Sequence, residues 1–176
     1  MKTITRSNVY LPMAAIILTV ALAIPAAAQK QVDFTPIDVP GASFTLARGI
    51  NPQGDIVGFY GTTIAHGFLL IEGSFTTIDV PGATSTQAFG LNARGDIVGL
   101  YSAGGTNHGF LLQEGTFTTI DVPGASSTVA AGINPRGDIV GQYTAGGTTH
   151  GFLLDKQGNF TSIDVPGAAS TPFNSS

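Results

Sequence analysis

The chain holds three histidines in 176 residues, and each opens the same pentapeptide, HGFLL, at His66, His108 and His150. Imidazole is a common metal ligand and titrates near neutral pH, so three equivalent copies could form a ring of metal-binding or ligand-facing groups. Each histidine also shares a strand face with a phenylalanine, and each repeat carries an aspartate able to accept an imidazole N–H. A structural hydrogen bond is therefore favoured over ligand contact, and no metal site is expected. Tyr60, Tyr101 and Tyr143 end the preceding strand of each repeat. Their rings could stack on sugars or serve as ordinary half-buried strand residues. These three tyrosines and three histidines are the candidate ligand-binding set.

The acidic residues recur as regularly. Asp55, Asp96 and Asp138 follow a turn glycine, and Asp38, Asp79, Asp121 and Asp164 stand in the segment IDVPG. Oxygen-rich turns can hold calcium, but there is no closely spaced run of acidic ligands. Hydrogen bonding at turns and strand ends is the expected role. The chain has no cysteine, no GxSxG, no HExxH and no Gly-rich loop opening a helix. Its acidic residues repeat symmetrically, whereas most active sites need one asymmetric constellation. The expectation is a non-enzymatic protein without a cofactor.

Arg94-Gly95-Asp96 and Arg136-Gly137-Asp138 form a tripeptide used by cell-adhesion ligands. In NPRG, Asn134, Pro135 and Gly137 occupy the first, second and fourth positions of a type I β-turn, where these residues are favoured. The first repeat has the same turn as NPQGD, with Gln53 in place of the arginine. The tripeptide reads as a by-product of a hairpin.

The elements that position these residues follow from internal repetition. IDVPGA occurs at 37–42, 78–83, 120–125 and 163–168, and GDIVG at 54–58, 95–99 and 137–141. The period is about 42 residues, a length typical of propeller blades and other arrays. Each repeat divides into four short strand candidates, which in the middle repeat are roughly 85–91, 96–102, 108–113 and 116–122. The expected fold is all-β: a propeller-like array of four-stranded blades with three full repeats, about 44–82, 85–124 and 127–167. An extra N-terminal strand is expected at 34–39 (FTPIDV). On the first strand Thr86, Ala88 and Gly90 are expected to share a face, a small-residue stripe suited to a crowded innermost strand. On the third strand His108, Phe110 and Leu112 share one face and Leu111 the other, which implies a sheet packed between neighbours. Repeat-length differences fall in the Gly-, Thr- or Asn-rich stretches GTTIA, SAGGTN and DKQGN, where loops tolerate insertion.

Residues 1–28 read as a secretory signal peptide: Lys2 and Arg6, an apolar run from about Met13 to Ile24, then Pro25 and three alanines ending at Ala28. The run is short for a membrane span of ~20 residues, and no later stretch is long or apolar enough. The expected location is secreted, periplasmic or extracellular after cleavage near Ala28. The remaining segment, 29–168 plus a tail at 169–176 that starts like another repeat, keeps five basic against eleven acidic side chains. That balance argues against nucleic acid as a partner.

The recurring INxxGxIVG and His-x-Phe motifs, at fixed spacing behind a signal peptide, resemble the HAF repeat family of extracellular bacterial proteins. The likeness covers about residues 33–168, with HGF here where glycine replaces the family's usual alanine. It implies export and a propeller-like β-array, and it implies no activity, so no catalytic residue is carried over. The expected function is an extracellular or surface interaction scaffold with a protein or glycan partner. The alternatives are a lectin-like carbohydrate-binding module and a fragment of a longer propeller. Three blades are fewer than the ~4–8 of a closed ring, so a homo-oligomer that completes the ring is also expected.

Overall fold

The computed structural model describes residues 33–167. The expected signal peptide and the tail at 169–176 lie outside the described residues. Asp33–Thr35 belong to a separate N-terminal unit and carry no regular structure; the second unit begins at Pro36.

Twelve strands and no helix occur among the described residues, in three antiparallel four-stranded sheets. The first sheet is β1 (Phe44–Ile50), β2 (Ile56–Gly61), β3 (Ala65–Ile71) and β4 (Ser74–Ile78). The second is β5 (Ser85–Leu91), β6 (Ile97–Ala103), β7 (Thr106–Gln113) and β8 (Thr116–Ile120). The third is β9 (Ser127–Ile133), β10 (Ile139–Ala145), β11 (Thr148–Leu154) and β12 (Phe160–Ile163). Strands pair in chain order within each sheet, so every repeat is one meander. The fourth strand stops at Ile120 because Val122-Pro123-Gly124-Ala125 turns the chain toward the next sheet. Ala125 N–H bonds the Val122 carbonyl at 3.0 Å and Gly124 has φ +80°. Proline second and a positive-φ glycine third make this a type II turn.

The extra strand expected at 34–39 does not form: these residues lie in no sheet, and no described strand pairs with them. The expected small-residue stripe is also interrupted. The β5–β6 register shifts between Ala88 and Gly90, a β-bulge that places Gly90 on the opposite face and brings Leu91 beside Thr86 and Ala88. The glycine has a different use from the one expected. A Cβ on Gly90 would lie 3.1 Å from the Ala131 carbonyl oxygen and 3.1 Å from Gly132 Cα. First strands of adjacent sheets thus pass backbone against backbone.

Sheets stack face to face through two apolar layers. Val57 and Ile78 of the first sheet meet Ala88, Leu91, Ile97 and Phe110 of the second. Val98 and Ile120 of the second meet Ala130, Ile139 and Phe152 of the third. Leu112 packs into the first layer and Leu111 into the second, so both faces of the middle sheet are covered, as the alternation on its third strand requires. Burying each phenylalanine contributes about 1.5–3 kcal/mol. Gly99 makes room for one of them: it sits opposite Phe110 in the ladder, and a Cβ there would lie 2.7 Å from Phe110 Cε1.

The unequal repeats differ by turn type. Glu114-Gly115, with φ of +49° and +77°, make a two-residue hairpin loop between β7 and β8. The longer β11–β12 connection uses Asp155 as an acceptor for the N–H groups of Gln157 and Asn159, with Gly158 at φ +90°. One added residue thus exchanges one favoured hairpin for another.

Candidate functional site

The pleat brings four repeated residue types into one row across each sheet. Thr86 on β5 faces Tyr101 on β6, which faces His108 on β7, with Asp121 just beyond β8. The His108 ring stacks on Tyr101 at a centroid distance of 5.1 Å, and its Nδ1 lies 3.0 Å from Asp121 Oδ2. The Tyr101 hydroxyl is 2.8 Å from Thr119 Oγ1. The third sheet repeats this with Tyr143 on His150 at 5.1 Å, His150 Nδ1 to Asp164 at 3.0 Å and the Tyr143 hydroxyl to Ser162 at 3.2 Å. The first has Tyr60 and His66 at 5.6 Å, His66 Nδ1 to Asp79 at 2.9 Å and Tyr60 to Thr77 at 2.8 Å.

All six candidate residues therefore fall into three matching rows, and the aspartates of IDVPG join them. An Nδ1–H donated to the carboxylate corresponds to the tautomer in which Nε2 is an acceptor. The histidine side chains are 26–33% exposed and their aspartates 44–48%. Each row is an imidazole braced on its ring face by tyrosine and on its ring edge by aspartate. Among the described residues no three His, Asp or Glu side chains converge as a metal site.

The row threonines also hold the connections between sheets. Thr86 Oγ1 accepts from Val80 N–H at 3.0 Å, and Thr128 Oγ1 from Val122 N–H at 3.1 Å; both threonines are buried. Sequence reasoning read these threonines only as small residues. The signal was present in VPGASFT, VPGATST and VPGASST, where threonine always stands six positions after valine.

The opposite end of the sheets carries the turns with the adhesion-like tripeptide. Gly137 N–H bonds the Asn134 carbonyl at 3.0 Å, the closure expected of a type I turn. Asn92 Oδ1 accepts the N–H groups of Arg94 and Asp96, and its Nδ2 donates to Asp96 Oδ2 at 2.7 Å. Arg94 Nη2 lies 2.6 Å from the same carboxylate, whose side chain is 6% exposed. Arg136 and Asp138 pair at 2.9 Å. Both arginines are thus tied to the aspartates of their own tripeptides, which supports the hairpin reading. Burial pushes the Asp96 carboxyl up, but hydrogen bonds from Asn92, Arg94 and Gln113 and the Arg94 charge outweigh it and hold the group below its ordinary range. Hydrogen bonds from Asn134 and Arg136 hold Asp138 low as well.

Between these turns, a groove of about 530 Å³ separates the second and third sheets, with Arg94, Asp96, Gln113, Arg136 and Lys156 on its walls. Its arginines are neutralised by the aspartates beside them, so it offers no concentrated charge. None of these was expected as a ligand residue.

No family model and no curated protein matches the chain. Among solved structures it is similar to a streptogramin B lyase, at 18% identity over 74% of this chain and 43% of that one, with a TM-score of 0.47. A catalytically inactive virginiamycin B lyase from Staphylococcus aureus with quinupristin is similar at 12% identity over 76% and 45%, with a TM-score of 0.48. The chain spans less than half the length of these structures.

Proposed function

We propose that the chain is an exported, non-enzymatic repeat protein of the HAF type, whose sheets are blades of a propeller-like array and which acts as an extracellular interaction scaffold. The observation that carries this reading is the threefold Tyr–His–Asp row, in which each tyrosine hydroxyl and each Nδ1 is satisfied within its own sheet. Groups committed in this way, in identical copies, serve as braces of a regular array, and such arrays act by presenting repeated surfaces. Export is supported by the leader pattern ending at Ala28. Fractionation of the producing cell with N-terminal sequencing tests it, and a mature chain beginning at Gln29 outside the cytoplasm is expected.

A second reading, a carbohydrate-binding array, is favoured by the partly exposed imidazole and carboxylate in each row. The chain lacks tryptophan, and its only tyrosine outside the rows is Tyr10, in the leader. Tyrosine fluorescence of the mature protein therefore reports on the rows alone. A saturable change on titration with soluble cello-, chito- or manno-oligosaccharides selects the carbohydrate reading, and a flat response selects the scaffold.

A further inference from the structure

The chain has four IDVPG segments and three histidines to pair with them. Asp79, Asp121 and Asp164 each bond the histidine of their own sheet, while Asp38 has no hydrogen-bond partner among the described residues. Yet the connector holding Asp38 is already folded like the others. Val39 N–H bonds Thr45 Oγ1 at 3.0 Å, as Val80 bonds Thr86 and Val122 bonds Thr128. Ala42 N–H closes the same turn on the Val39 carbonyl at 3.1 Å. It is a connector between sheets with no described sheet in front of it.

The far end of the stack is its complement. Val140 is 41% exposed where the equivalent Val57 and Val98 are fully buried, and Ile163 is 48% exposed where Ile78 and Ile120 are at 5%. Ile50, on the first sheet, is 67% exposed where the equivalent Leu91 is at 8%. Among the described residues, no sheet follows the third and none precedes the first. Simple stacking of two copies cannot join them, because at each internal junction one segment serves both as outer strand and as connector. Residues 160–167 of one copy and 34–41 of the next would claim the same place. Those segments are FTSIDVPG and FTPIDVPG, identical but for Ser162 and Pro36.

We infer that residues 34–39 are the outer strand of a sheet supplied by a second copy of this chain, where they replace Phe160–Ile163. This inference rests on the blade-array reading and names the array's partner. Ile37 takes the register of Ile163 opposite Gly151, and Asp38 takes the place of Asp164 beside His150. Proline is tolerated on an outermost strand, and the exchange gives up the exposed Tyr143–Ser162 hydroxyl bond, because Pro36 has no hydroxyl. Its driving force is the burial of the open faces around Val140 and Ile50. Two copies exchanging reciprocally close a ring of six sheets, within the ~4–8 blades of known propellers.

The test uses the full chain as its producing cell delivers it, which has no cysteine of its own. Leu153 faces Thr161 across the β11–β12 ladder, and Thr35 is the equivalent of Thr161 in the N-terminal segment. Paired Cα atoms at ~4.5–5.5 Å suit a disulfide. The double variant Thr35→Cys, Leu153→Cys, oxidised mildly while folded, is expected to run as a covalent two-chain species on a non-reducing gel. The unmodified chain is expected to show twice the single-chain mass by light scattering. Leu153→Cys with Thr161→Cys is the control for folding and reactivity, and exchange predicts that its intrachain disulfide forms poorly. The inference is overturned by a single-chain mass together with a control that closes fully within one chain, or by a Thr35–Leu153 disulfide within one chain. Neither result touches the scaffold reading, which stands or falls on fractionation and fluorescence.

Discussion

Asn92 joins two sheets through one amide nitrogen. Its Nδ2 donates to Asp96 Oδ2 at 2.7 Å in its own hairpin and lies 3.3 Å from the carbonyl of Asn134, forty-two residues away in the next. Asn51 stands in the same relation to Asn92, at 3.5 Å. The three turns form a ladder running across the stack.

Replacing Asn92 by alanine removes this link and also leaves the N–H groups of Arg94 and Asp96 without their acceptor. Asp96 is buried and its orphaned N–H costs about 1–3 kcal/mol, whereas exposed Arg94 can turn to water, so with the lost amide bonds Asn92→Ala is expected to lose about 2–4 kcal/mol. Asn134 makes the same bonds within its turn but reaches no further carbonyl among the described residues. Asn134→Ala should cost visibly less. Urea unfolding of both variants decides the matter, and equal losses would remove the ladder as a source of stability.

Asp96 gives the stability a defined pH dependence. Its carboxyl is held below its ordinary range when folded, so it stabilises the fold fully above the unfolded value of about 3.9 and loses that contribution as pH falls through the folded value. Asp138 and Asp155, also held low by their turn hydrogen bonds, act in the same direction. Stability should therefore decline on acidification below about pH 4 and change little from these groups above about pH 5. Asp96→Asn should lower stability at pH 7 and flatten the acid limb. A variant that keeps the full wild-type slope would show that Asp96 is not its source.

The two glycines Gly99 and Gly104 should respond very differently to alanine. At Gly99 a Cβ would lie 2.0 Å from the Gln87 carbonyl oxygen as well as against Phe110, so backbone must move. A loss of about 3 kcal/mol or more is expected. At Gly104 the space is open and only the left-handed φ of +58° is at stake, worth about 1 kcal/mol. Melting temperatures of the two variants test the ranking.

Periodicity made the strands, the sheet count and the two-faced packing of Leu111 and Leu112 readable from sequence, because a pleat has only two faces and a repeat applies one pattern three times. The His–Asp pairs were foreseen as hydrogen bonds for the same reason. What escaped was anything that broke strict alternation or crossed between repeats. The bulge at Phe89 moved Gly90 to the other face, and no single-strand pattern announces a bulge. The Asn92–Asn134 and Val80–Thr86 bonds join residues whose proximity depends on how one sheet meets the next. Strand 34–39 was expected because FTPIDV repeats the fourth strand of each repeat, but a strand needs a neighbour, and none of the described strands lies beside it.

The Val80–Thr86 bond yields the last prediction. Thr86→Val keeps the β-branched shape and the strand propensity, and removes only the oxygen that accepts from the Val80 N–H. Thr86 is 1% exposed, so water cannot readily replace that oxygen. The orphaned N–H should cost about 1–3 kcal/mol. Thr119→Val removes the partner of the Tyr101 hydroxyl at an exposed position, where water substitutes, and should cost less than about 0.5 kcal/mol. Hydrogen exchange separates this local effect from general loosening. Thr86→Val should speed exchange at the connector 80–83 more than in β6 and β7, and uniform acceleration across the second sheet would mean that the hydroxyl supports packing rather than the connector.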